Sequence, residues 1–260
     1  MATYNKRGYK LPKEKAEKGD EYIEDDVMID ETESTTAGVF SKLDEGASKT
    51  EEWVAKNQKY ILIILGAIAL LTVGYVVYQK FVAEPKETEA ANEMFVAQQN
   101  FQQAIDGVAS DSLFNLALNG ADGKLGFIQI ADQYSGTDAG NLANYYAGVS
   151  FLHTGKYVDA IKYLDEFKAD SKMLDALAKG AIGDAFAQRN QLKEAAEYYV
   201  KAADVEENEF TRPRFLLKAG QVQLALGNKA DALKNFTEIK EKYMSTPEGA
   251  TIDAMIGLAQ

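Results

Sequence analysis

The side chains that do most protein chemistry are scarce in this sequence. Of 260 residues none is Cys and only His153 is His. Without Cys there are no disulfides, no Cys-bound zinc, no iron–sulfur clusters and no thiol nucleophiles, and one His allows no paired-His metal site. His153 stands in SFLHTGKY, just ahead of a turn, and a general base would need a positioned partner. The run Asp204-Val-Glu206-Glu207-Asn208-Glu209 lacks the alternating oxygen ligands and turn glycine of a calcium loop, and reads as solvated. Gly120, Gly123 and Gly126 fall every three residues, which misses the dinucleotide-binding spacing and follows no strand. No GxxxxGK[ST] phosphate loop occurs, and Asn235-Phe-Thr237 matches a glycan acceptor only inside a predicted helix. The expectation is a protein that is not an enzyme, with no metal, no cofactor and no small-molecule substrate.

Composition points the same way. Forty acidic residues against 28 basic ones give a net charge of −12, which repels a phosphate backbone and argues against nucleic acid. The 46% hydrophobic content and the length suit one or two domains with a substantial core.

These averages hide three unlike segments. Residues 1–50 are polar, basic from Tyr4 to Lys18 and acidic from Asp20 to Glu33, and bury too little apolar surface to offset chain entropy. They read as a disordered tail, with apolar residues at helical spacing from Val39 onward. Residues 51–84 form a juxtamembrane and transmembrane stretch. Its span, Tyr60 to Gln79, carries no charge and is closed by Lys59 and Lys80. Twenty residues at about 1.5 Å each give about 30 Å, the thickness of a bilayer's hydrocarbon core. Trp53 and Tyr60 mark one end, Tyr75 and Tyr78 the other, as suits the headgroup zone. Some sixty residues precede the span and Phe81 follows it, which does not fit a cleaved signal peptide. Lys42, Lys49, Lys56 and Lys59 upstream outweigh Lys80 and Lys86 downstream, placing the N-terminus in the cytoplasm. In a bacterium the remainder then lies in the periplasm, anchored to the inner membrane.

Residues 86–260 read as nearly pure helix, so the expected class is all-α. Within them three segments align, starting at Tyr145, Lys179 and Leu216, in repeats over 141–174, 176–209 and 213–246 with a closing helix over 246–260. Gly148, Gly183 and Gly220 correspond, 35 and then 37 residues apart. So do the turn residues Gly155, Asn190 and Gly227, and Ala160, Ala195 and Ala232 in the second helix. Four residues after those alanines stand Leu164, Tyr199 and Phe236. Small residues let two helices approach, the turn residue supplies a left-handed cap, and the bulky residue fills the gap to the next hairpin. Ala90–Asp106 and Lys124–Tyr134 read as a degenerate repeat interrupted by an insertion, with a short helix around Ser112 to Leu118.

This pattern resembles the tetratricopeptide repeat, a two-helix unit of about 34 residues that stacks into an α-solenoid. The Trp and closing Pro usual in that family are absent. The order of tail, span and repeat array is also similar to the ancillary periplasmic subunit of the bacterial Sec translocon, and the sequence is similar to membrane-anchored repeat proteins of Bacteroidetes. The first of these implies protein partners: the Sec translocon, a periplasmic chaperone or an unfolded client. By correspondence with the repeat family the leading helices line a concave, protein-binding groove. It takes in Leu142, Tyr145, Val149, Leu152 and His153, then Leu177, Asp184 and Gln188, then Arg214, Leu217, Gln221 and Leu224. Tyr145 and Val149 stand where the family's tail-binding members carry polar residues, which disfavours capture of a terminal carboxylate. Periodicity leaves open whether the apolar members are free or lie beneath the helix over Ala90–Asp106. Two functions fit: an adaptor assisting translocation or handover to chaperones, and a scaffold subunit of a secretion or division complex with one folded partner.

Overall fold

A computed structural model describes residues 35–107 and 110–260, with side chains from Thr50 onward. The basic and acidic blocks of the tail lie outside the described residues. Among those described, regular structure is helical throughout, apart from one isolated antiparallel bridge between Ala121 and Lys124.

The first helix, α1 (Thr35–Tyr78), begins inside the stretch that composition assigns to the tail. It passes through a π-helical stretch, Gln79–Ala83, into α2 (Glu84–Asp106). The π-helical stretch sits just ahead of Pro85, whose ring nitrogen cannot donate to the carbonyl four residues earlier, so the ladder is interrupted there in any case. This helix contains an 18-residue window with a mean hydropathy of 2.5, none of it buried, and is long and apolar enough to cross a membrane.

Residues 70–260 form one compact unit. After α2 come α3 (Asp111–Asn119), α4 (Phe127–Gln133), α5 (Asp138–His153), α6 (Tyr157–Glu166), α7 (Lys172–Gln188) and α8 (Leu192–Ala203). Then follow α9 (Arg212–Ala225), α10 (Lys229–Lys242), α11 (Pro247–Ala250) and α12 (Ile252–Ala259). Each helix from α5 to α10 packs on the next in the chain, α12 closes against α10, and α2 packs on α3, α4 and α5. The segment expected as one closing helix over 246–260 is thus broken at Thr251. Thr246 caps its first turn, with Oγ1 accepting from Gly249 N at 3.2 Å.

Each of the hairpins α5–α6, α7–α8 and α9–α10 closes through one glycine. A Cβ on Gly148 would fall 2.5 Å from Leu164 Cγ and one on Gly183 2.8 Å from the Tyr199 ring, while one on Gly220 would run into the Phe236 ring. The first helix therefore gives up a side chain where the second inserts one. At the turns Gly155, Asn190 and Gly227 adopt φ of +74°, +58° and +80°. Ala160, Ala195 and Ala232 are fully buried. Between hairpins large and small residues alternate in the opposite sense. Tyr145 of α5 shares a cluster with Ala178 of α7, whereas the Phe215 ring of α9 lies over Gly180 of α7. Both pairs occupy equivalent repeat positions, so the two interfaces exchange which helix supplies the ring.

The end nearest α2 is built differently. Phe101 of α2 meets Phe114, Phe127 and Tyr146 edge-on at 5.0–6.1 Å between centroids. The glycine triplet of the α3–α4 loop serves this corner. Gly120 and Gly123 both have φ of +77°, and a Cβ on Gly126 would overlap the Leu118 carbonyl. The glycines close a tight turn. At the other end Arg212 ties three elements together. Its Nε donates to Glu238 Oε1 at 2.8 Å, and one terminal nitrogen donates to the Ala203 carbonyl at 3.0 Å and to Asp204 at 3.2 Å.

Candidate protein-binding face

The leading helices α5, α7 and α9 carry the residues assigned to the groove, and the structure sorts them by polarity. Leu142, Tyr145, Val149, Leu177, Leu217 and Leu224 are half-buried and pack against the core clusters. His153, Gln188, Arg214 and Gln221 are exposed, and Asp184 is half-buried among them. The apolar members therefore serve largely as an underlayer, and the surface above them is polar.

Part of this surface is a cleft of about 440 Å³ lined by Leu152, His153, Tyr157, Asp184, Ala187, Gln188, Tyr199 and Lys218. It draws Leu152, His153, Asp184 and Gln188 together from the assigned set. At its floor one carboxylate joins three helices. Asp184 Oδ1 on α7 accepts from the Tyr199 hydroxyl on α8 at 2.6 Å and from Lys218 Nζ on α9 at 2.5 Å. Burial, the hydrogen bond to Asp184 and the charge of that carboxylate all push the Tyr199 hydroxyl far above its ordinary pKa. It stays a protonated donor and is unsuited to nucleophilic attack. The Lys218 ammonium also lies 5.5 Å from the Tyr199 ring centroid. Asp184, Tyr199 and Lys218 thus satisfy one another and tie α7, α8 and α9 together.

At the rim the His153 ring stacks on Phe114 of α3, with centroids 4.7 Å apart and planes 6° from parallel. Partial desolvation holds the imidazole below its usual pKa, so it is neutral at pH 7. Both α2 and α3 pack on α5 at this end: Phe114 of α3 stacks on His153, Phe101 of α2 meets Tyr146 edge-on, and Leu142 and Leu152 pack against the cluster that holds Ala90, Met94 and Ala97 of α2. Among the described residues no group of three His, Asp or Glu side chains is placed to hold a metal.

The remaining motifs have local structural uses. Asn235 is buried and donates from Nδ2 to Gln223 Oε1 at 2.8 Å. In the acidic run, Asn208 Oδ1 accepts from the Phe210 and Thr211 amides at 2.9 and 2.7 Å, ordering the approach to α9. Sequence reasoning did not assign Tyr157, Ala187, Tyr199 or Lys218 to this face. The available signal was Asp184 itself, a charge at the repeat position held by Val149 and Gln221 in the other hairpins.

No protein-family model, curated protein or solved structure matches this chain.

Proposed function

We propose that the protein is a non-enzymatic, single-pass membrane protein whose tetratricopeptide-like domain binds another protein. The N-terminus lies in the cytoplasm and the repeats in the periplasm. The exposed apolar helix and the four-to-two excess of lysines before it support the span and its direction. The glycine–bulky pairs, the left-handed turn residues and the sequential packing support the family reading.

The observation that carries the function is the Asp184–Tyr199–Lys218 arrangement, which joins the leading helices α7 and α9 to α8. A groove for unfolded chains works through accessible apolar surface, whereas here most of the assigned apolar residues pack between helices. Fixed, mutually satisfied charges discriminate partners by complementarity, so the face suits one dedicated folded partner in an envelope assembly. Handover of translocated chains beside the Sec machinery is the competing outcome. Full-length protein purified in mild detergent is expected to retain one stoichiometric partner and to leave aggregation of unrelated unfolded proteins unchanged. Suppressed aggregation of several such proteins, with Sec components co-purifying, would overturn the dedicated-partner reading.

A further inference from the structure

A second cleft, of about 660 Å³, lies between the start of α2 and the turn before α5. Its wall includes Tyr78, Val82 and Lys86, one helical turn apart on a single face, and the opposing turn is Ser135-Gly136-Thr137-Asp138. The cleft is preformed. Thr137 Oγ1 donates to the Tyr134 carbonyl at 2.7 Å and accepts from Gly140 N at 2.9 Å. The Glu87 carboxylate accepts from the Asp138 and Ala139 amides at 2.6 and 2.8 Å, capping α5 from a helix fifty residues earlier in the chain. Tyr134 adds a hydroxyl donated to Glu89 at 3.1 Å.

We infer that this cleft takes the headgroup of phosphatidylethanolamine from the membrane in which the protein sits. The inference rests on the proposed span. Its level is set by the helix. Tyr78 lies at the end of the charge-free run, and the eight residues on to Lys86, five of them π-helical, rise about 10 Å, enough to traverse a headgroup layer about 5–8 Å thick. Its chemistry is graded to match. Towards the apolar helix the lining residues Tyr78, Val82 and Ala83 are apolar or aromatic. Higher up stands one cation, Lys86, half-buried and without an ion-pair partner among the described residues, beside Glu84 and Asp138, whose carboxylates likewise have none there, while the third carboxylate of the lining, Glu87, is held by two backbone amides. Lys86 meets a phosphate, and the carboxylates meet a primary ammonium with hydrogens to donate. Choline offers no such hydrogens, and an anionic glycerol headgroup meets carboxylates where ethanolamine would place its charge.

Native mass spectrometry of the full-length protein, reconstituted from an equimolar mixture of phosphatidylethanolamine, phosphatidylcholine and phosphatidylglycerol, tests this. One retained phosphatidylethanolamine is expected, in preference to the other two. Lys86→Ala and Asp138→Asn should each lower that retention roughly tenfold with the thermal midpoint of the domain unchanged. Equal retention of all three lipids, or retention indifferent to both substitutions, overturns the headgroup site. Protein that leaves the vesicles in carbonate overturns the span, and the site with it, and so separates the two failures.

Discussion

Glycine is treated in opposite ways in two regions of this molecule. In the apolar helix, a Cβ on Gly66 or on Gly74 would meet nothing within 4 Å. In the hairpins, Gly148, Gly183 and Gly220 each lie under a bulky side chain of the following helix. Both sets stand in helices, where each glycine is less favourable than alanine by about 1 kcal/mol. In the hairpins the ring or branched chain seated on the glycine offsets that loss. In the apolar helix no described residue does so, and its Leu70, Leu71 and Val73 are exposed among the described residues. The repeat unit is specified by contacts it makes with itself, while the apolar helix makes no such contacts with the described residues.

Substitutions should separate the regions by size of effect. Phe236→Ala empties the fully buried site over Gly220 and should cost about 3–5 kcal/mol in urea unfolding of the repeat domain. A loss under about 1 kcal/mol would mean that the site collapses and that the glycine–ring pairing is incidental. Gly148→Leu should overpack against Leu164 at about 1–3 kcal/mol, whereas Gly66→Leu should leave the same midpoint within about 0.5 kcal/mol. Equal effects at both positions would erase the contrast.

A smaller effect comes from Glu238, whose carboxyl burial would raise but Arg212 and Lys242 hold below the ordinary value of 4.5. A carboxylate lowered in the folded state adds stability that is fully present above pH 4.5 and is lost as pH falls through its folded value. Glu238→Gln should therefore cost about 1.5 kcal/mol at pH 7 and flatten the acid limb of the melting curve. An unchanged acid limb would show that Arg212 draws its support from Asp204 and the Ala203 carbonyl instead.

Much of the fold was legible because its devices recur at fixed spacing. Small residue, turn residue, alanine and bulky residue return together in three hairpins, and each has one steric meaning. The face was legible only in part. Leading-helix positions can be counted, but whether Leu177 or Leu217 meets solvent depends on neighbours that periodicity does not locate. The polar network was hidden for a different reason. Asp184 meets partners 15 and 34 residues away, and Glu87 caps a helix about fifty residues on, distances at which no local pattern speaks. The insertion had no repeat counterpart to reveal that α3 would reach His153.

The proposed span puts the repeats and the tail on opposite sides of a membrane. Since the chain has no Cys, a single introduced thiol reports its side without background. Phe210→Cys, at an exposed position of the repeat domain, should react with a membrane-impermeant maleimide in intact spheroplasts, while Ser34→Cys should react only after lysis. Labelling of Phe210→Cys only after lysis would contradict the account.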